Sequence, residues 1–267
     1  MFTLSAFADD AIAFAYEHAW RTTTARFGTP RMPDGAPMPM VVVGMGKLGG
    51  RELNVSSDID LIYVYPEDGS TAGPKIIDNF EFFTKLGRGI IQALNDLTGD
   101  GQVFRVDMRL RPNGDSGPLV ASFDMLENYF ITQGREWERY AWIKARVMTG
   151  IRGAELAAIA RPFIFRKYLD FGAINAMREL HAQIRQEVAR KDMANNVKLG
   201  PGGIREIEFI AQVFQLIRGG RDSALQVRAT LQVLDLLTQR KQLPPATRDE
   251  LAAAYDFLRR LEHRLQY

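Results

Sequence analysis

The sequence predicts an α+β fold, with a mixed sheet and flanking helices in the front half and an all-helical C-terminal region behind it. Three observations predict this. Strand-like runs occur only ahead of residue 123, at 40–43, 59–65, 103–110 and 119–122. Helical periodicity is interleaved with them over 4–27 and 75–97. From Phe123 onward the apolar positions keep helical spacing.

In chain order, residues 4–27 place Leu4, Phe7, Ile12, Phe14 and Trp20 among polar positions, as a helix does. A linker rich in proline and glycine runs from Gly28 to Pro39. Met40-Val41-Val42-Val43 is a buried strand ended by glycines, and 59–65 is a second strand. The stretch 75–97 sets Ile76, Phe80, Phe83, Ile90 and Leu94 near helical spacing. Residues 103–110 alternate strictly. Phe104, Val106, Met108 and Leu110 face one way, and Arg105, Asp107 and Arg109 the other. Leu119 to Ser122 is a short strand after a turn. Helices are then expected over about 123–149, 154–168, 172–192, 203–218, 226–240 and 247–267. The resulting division is a front domain over 1–150, N-terminal helix included, and a helical domain over 151–267. The chain stops inside the amphipathic pattern from Leu258 to Leu265 with no stop signal, so it reads as an excised piece of a longer protein.

Composition narrows the function classes. The 267 residues are 46% hydrophobic and 25% charged, with a formal net charge of +2, so no bulk field argues for nucleic acid or a membrane. The absence of cysteine excludes disulfides, cysteine-based zinc sites and thiol catalysis, and it fits a reducing cytoplasm. No apolar run approaches the roughly 20 residues of a membrane helix, and Met1 to Ser5 has neither region of a signal peptide. The expectation is a cytoplasmic protein with no nucleic-acid and no membrane partner.

The chemistry lies in the stretch from Gly44 to Leu61, which admits three readings. Gly44, Gly46 and Gly49 satisfy the spacing of a dinucleotide-binding loop, but that loop must open a long helix. Here Gly50, Asn54 and Ser56-Ser57 intervene and a strand begins within a few residues, so the helix is too short. A second reading makes Asp58 and Asp60 ordinary solvent-facing residues. Aspartate is disfavoured at a strand start, and two like charges side by side cost energy unless a cation neutralises them. The third reading is metal-dependent nucleotidyl transfer. Asp58 and Asp60 share one strand face and can hold one or two Mg²⁺ ions through oxygen, which stabilise displacement at phosphorus. The Gly49-Gly50 turn and Ser57 offer amide and hydroxyl groups to phosphate. Asp107, the one acid on its polar face, supplies the third carboxylate. Arg109 and Arg111 beside it are forks suited to phosphate, against the alternative of a solvated sheet face. Gly114-Asp115-Ser116-Gly117 looks like a serine-nucleophile loop, but His18, His181 and His263 are the only histidines and none stands in a suggestive context.

These blocks carry a resemblance. Gly44 to Asn54 with Ser56-Ser57-Asp58-Ile59-Asp60-Leu61 closely resembles the bacterial glutamine synthetase adenylyltransferase/adenylyl-removing enzymes, which carry two nucleotidyltransferase-like halves. The resemblance extends to Arg105 through Leu119, to Trp137-Glu138-Arg139-Tyr140 with Lys144-Ala145-Arg146, and to Lys198 through Phe209. It implies a nucleotidyltransferase-like sheet, with Asp58, Asp60 and Asp107 as metal ligands and catalytic residues and Gly49, Gly50 and Ser57 along the nucleotide phosphates. Met108, the Asp115-Ser116 turn and Glu206 are similar to the adenylyl-removing half, where the adenylylating half usually has Thr, no Asp-Ser and Asp. The implied reaction is phosphorolysis of AMP from a tyrosine of glutamine synthetase, yielding ADP. The implied partners are glutamine synthetase, a PII signal protein and the second, adenylyltransferase half of the full-length enzyme. ADP or ATP, phosphate and Mg²⁺ are the implied ligands.

In the helical region, Gly202-Gly203 opens a helix carrying Arg205, Glu206 and Glu208. Either these reach the nucleotide or phosphate, or the acids simply complement the helix dipole; the resemblance favours the former. Two rivals to phosphorolysis stay open: the same fold running forward with ATP, and a non-catalytic module binding glutamine synthetase or PII.

Overall fold

The protein is described here by a computed structural model covering residues 2–149, 152–168 and 196–266, with isolated positions between 175 and 190. Helix α1 (Phe2–Phe27) is followed by β1 (Thr29–Pro30), β2 (Val41–Gly44), the four-residue α2 (Gly46–Gly49), β3 (Ile59–Tyr65) and β4 (Thr71–Ala72). Then come α3 (Asn79–Asn95), β5 (Val106–Asp107), β6 (Val120–Ser122), α4 (Phe123–Thr132), α5 (Glu136–Trp142) and β7 (Arg146–Thr149). Helices α6 (Gly153–Ile164), α7 (Ile204–Arg218), α8 (Thr230–Gln239) and α9 (Pro245–Leu265) complete the described order. The α+β class, with a small mixed sheet, flanking helices and a helical C-terminal region, is as expected. The helix expected over 172–192 lies outside the described residues, apart from the isolated positions.

The contacts divide the chain into two units. One comprises Met1–Leu53, Ser57–Gln133 and Ala145–Ala160; the other comprises Asn54–Ser56, Gly134–Lys144 and Arg161–Tyr267.

In the first unit the sheet runs in the order β5-β3-β2-β7, with β6 also pairing β3. β3 is antiparallel to β2 and parallel to both β5 and β6. Every residue of β3 except Asp60 is buried, as a central strand covered on both faces requires. α3 begins at Asp78, whose carboxylate accepts from the Glu81 amide at 2.6 Å and satisfies a donor that the first turn leaves over. Its Phe82, Phe83, Leu86 and Ile90 are buried. α1 presents Ser5, Ala8, Ile12, Ala15 and Ala19, all buried at the three- and four-residue spacing of one helix face. Phe7 and Phe14 lie outside that stripe and are exposed. Small residues on the buried stripe let α1 and α3 approach closely.

Two strand expectations are corrected. The run at 103–110 is not one long strand: only Val106–Asp107 pairs with β3. Phe104 and Met108 are buried and Arg105 and Arg109 exposed, so the alternation of faces is real. The ladder stops because the chain turns away, with the Arg111 amide bonded to Met108 O at 3.2 Å. It returns as β6, where Val120 partners Tyr63. β7 is the second correction, since no strand was expected after Phe123. It pairs with β2, Val147 opposite Val43, and so covers an edge that would otherwise be open.

The second unit has its own apolar cluster, including Ala211, Leu225, Val233, Leu234 and Leu237. Phe163 and Trp142, ambiguous in sequence between stacking and packing, are buried; Trp137 is partly exposed.

Candidate active site

The site begins at the one position of the central strand that is not fully buried. Asp60 on β3 is the Cα partner of Asp107 on β5. In a parallel pair, residues in register project from the same face, so the two carboxylates belong to one patch. Asp58 lies just before β3. There its Oδ1 accepts from Arg105 Nε at 2.5 Å.

Asp107 is gripped by Arg109. The guanidinium donates from Nε and Nη2, with Nη2–Oδ2 at 2.5 Å, and the Arg109 amide adds a bond to Oδ1 at 2.8 Å. Those side-chain bonds hold the Asp107 carboxyl below its ordinary range, against the opposing push of its partial burial; the Arg109 amide and the charges of Arg109 and Arg111 add to the depression. Arg109 also senses the charges of Asp115 and Asp60, which places its cationic end within the same electrostatic patch. Arg111 is engaged elsewhere, donating to Met108 O at 2.8 Å and bracing the turn that leaves β5.

The glycine turn packs on Asp60. Met45 N donates to Asp60 O at 2.9 Å, and a Cβ added to Gly46 would stand 3.0 Å from Asp60 Oδ2. Gly46 also has φ +50°, so both space and backbone require glycine. The amides of Gly49 and Gly50 donate to Met45 O and Gly46 O, at 2.9 and 3.1 Å. Both amides thus have acceptors within the turn. Ser57 Oγ accepts from Lys47 Nζ at 3.3 Å, which leaves the hydroxyl proton able to donate.

Among the described residues, no group of three or more histidine, aspartate or glutamate side chains is gathered as a metal cage. The expected triad of Asp58, Asp60 and Asp107 is thus not assembled, because Asp58 is turned to Arg105. Mg²⁺ asks for less, typically one or two carboxylates completed by substrate phosphates and water. Asp60 and Asp107, two oxygen donors in register beside the glycine turn, fit that requirement.

The helical candidates sit in the second unit. Glu208 on α7 pairs with Lys144 Nζ at 2.8 Å and accepts from the Tyr255 hydroxyl at 3.2 Å. Burial alone would raise its carboxyl, but Lys144, Arg259 and Tyr255 together outweigh that and leave it lowered. Glu206 accepts from the Gly202 amide at 2.8 Å, as a first-turn acid does. Arg205 is exposed.

A family model described as Glutamate-ammonia ligase adenylyltransferase matches residues 1–161. The chain belongs to that family. A second model, GlnD PII-uridylyltransferase, matches residues 178–267. The bifunctional glutamine synthetase adenylyltransferase/adenylyl-removing enzyme of Aromatoleum aromaticum is 71% identical over 265 residues, covering 99% of this chain and 28% of the relative. Those of Nitrosomonas europaea and Chromobacterium violaceum are 60% and 61% identical, over 100% and 99% of this chain and 29% and 30% of theirs. The chain therefore spans less than a third of the length of these relatives.

Within this adenylyltransferase-family chain, two cations have partners that the sequence does not display. Lys47 was passed over as one member of a glycine motif, yet its ammonium reaches Ser57. Arg105, expected with Arg109 and Arg111 to suit phosphate, is the partner of Asp58. The signal for both was available: each is a cation within or beside a block of carboxylates and glycines. The dinucleotide reading fails for the reason given in sequence, since α2 has only four residues.

Proposed function

We propose that this chain removes AMP from an adenylylated tyrosine of glutamine synthetase by Mg²⁺-dependent phosphorolysis, releasing ADP in the control of nitrogen assimilation. The observation that carries the reading is the register of Asp60 and Asp107 beside the glycine turn, in a chain of the adenylyltransferase family. The direction rests on Met108, the Asp115-Ser116 turn and Glu206, the residues that resemble the adenylyl-removing half. The relatives' printed name includes both activities, so ATP-dependent adenylylation is the alternative for the same site.

An oxygen of inorganic phosphate attacks the AMP phosphorus. The new P–O bond forms as the bond to the tyrosine oxygen breaks, and the phenolate leaves and takes a proton from water. Bound Mg²⁺ supplies neutralisation of the charge on the phosphoryl oxygens. Asp60 and Asp107 hold it, and Asp58 is the third carboxylate that the family resemblance implies. Arg109, fixed by Asp107 and otherwise exposed, offers its guanidinium to a phosphate oxygen. Ser57 donates its hydroxyl to the AMP phosphate. No strong base is needed, because phosphate is already an anion at neutral pH. Arg111, Arg205, Glu206 and Glu208 remain candidates for the attacking phosphate or the nucleotide, with the partners given above. Glutamine synthetase as substrate, a PII protein as regulator and the second half of the longer enzyme are parts of the same proposal.

The test uses adenylylated glutamine synthetase, Mg²⁺ and labelled phosphate. Label appears in ADP if the reading holds. Release of AMP by water, with no labelled ADP, would contradict it.

A further inference from the structure

The glycine turn that lies on Asp60 is held from behind. Leu48 O, near the end of α2, accepts from Arg146 Nη2 at 2.9 Å and from the Arg51 amide at 3.2 Å. Arg146 is the first residue of β7. Its two terminal nitrogens also donate to both carboxylate oxygens of Asp9 on α1, at 2.9 and 2.8 Å. Arg51, in the left-handed region at φ +59° just past the turn, places Nη2 3.4 Å from the same carboxylate. The Arg146 side chain is 12% exposed and that of Asp9 24%, so the pair is largely withdrawn from water.

A single helical turn does not hold its own shape, since nucleating a helix costs more than one turn returns. The position of α2 is therefore set by its tertiary partners. A planar guanidinium can pair bidentately with a carboxylate and still donate to a carbonyl, which an ammonium on a flexible stem cannot do in one fixed geometry. The carbonyl in question belongs to the turn whose Gly46 stands against Asp60 Oδ2.

We infer that Asp9 and Arg146 form a positioning pair for the adenylyl site, fixing where the glycine turn lies over Asp60 without touching substrate. The inference rests on the functional reading above for its consequence in turnover, and on the hydrogen bonds alone for its consequence in structure. Arg146 stands in the Lys144-Ala145-Arg146 block, to which the proposed mechanism assigns no step.

Hydrogen exchange and steady-state kinetics on Arg146→Lys, Asp9→Asn and the double variant separate these consequences. Exchange of residues 45–53 rises on the order of tenfold in each single variant while α3 stays protected. The double variant matches the singles, because either change releases the same carbonyl. kcat for ADP release falls roughly tenfold to a hundredfold with little change in KM for the adenylylated synthetase. Unchanged exchange at 45–53 would overturn the inference outright, and an equal rise in α3 would overturn it in favour of a general stabiliser. Local exchange as expected in a wild-type chain that releases no ADP would remove the functional reading and leave the structural pair standing. Raised exchange at 45–53 with a wild-type kcat would overturn the positioning role and leave the functional reading standing.

Discussion

Asp60 and Asp107 face each other across the parallel β3–β5 pair, although 106 and 107 are the only residues of β5. The chain forms just enough ladder there to set two carboxylates in register, then turns away. Like charges held this close favour a bound cation, and the Arg109 guanidinium already lies on Asp107. The same arginine that compensates Asp107 in the free protein is suited to phosphate, so one side chain can serve either anion.

Asparagine at either position keeps the shape and removes the charge. Asp60→Asn and Asp107→Asn should each lower ADP formation by roughly 10²–10³-fold, the usual cost of losing one preorganised electrostatic contact. Thermal melts should fall only slightly, since a pair with a solvent-exposed arginine adds little to stability. Wild-type turnover in Asp60→Asn would refute the assignment of the metal site.

Gly46→Ala should be costly in two ways. The left-handed backbone penalises an L side chain by about 1–2 kcal/mol, visible as a lower urea midpoint. The added carbon would press on the Asp60 carboxylate, 3.0 Å away. ADP formation in the folded fraction should therefore fall beyond what the stability loss explains, and equal losses in both would argue against contact with the site.

The acid limb of stability tests the grip of Arg109. Asp107 has a native pKa below its ordinary 3.8, chiefly through the Arg109 side-chain bonds. The unfolded chain then takes up that proton more readily. The pair's contribution is thus fully present above the unfolded value and is lost as pH falls through the lower native one. Urea midpoints of wild type and Arg109→Ala should differ at pH 7 and converge below that window. A constant gap down to acid would mean that Arg109 stabilises by packing rather than charge.

Much of this was readable in the sequence, and the misses share a cause. β3 is found over the same residues expected, because an apolar run bounded by Asp58 and Pro66 has strand length and no competing period. The polar-face position of Asp107 beside Arg105 and Arg109 was legible through alternation, but its register with Asp60 was not. β5 was drawn too long because alternation reports which way side chains face, whereas pairing depends on where the neighbour runs. β7 was hidden because four residues inside a helix-like stretch carry little period, and only the open edge of β2 selects them. The acceptors of the Gly49 and Gly50 amides within the turn were not legible, because a sequence shows which donors exist, not which are already used.

Glu208 poses a choice between the two readings of the helical region. Lys144 and Glu208 are 7% and 18% exposed, and Glu208→Gln leaves the ammonium without its counter-charge. If the pair is structural, urea denaturation should show a loss of about 3–5 kcal/mol. Unchanged stability with a raised KM for phosphate would instead make Glu208 a substrate contact.

The most direct measurement runs the purified chain in both directions at once. Adenylylated glutamine synthetase is supplied with Mg²⁺ and phosphate in one reaction, and unmodified synthetase with Mg²⁺ and ATP in the other. The account predicts phosphate-dependent ADP in the first, lost in Asp60→Asn, and no AMP transfer in the second. AMP transferred from ATP, with no ADP formed from the adenylylated protein, would contradict it.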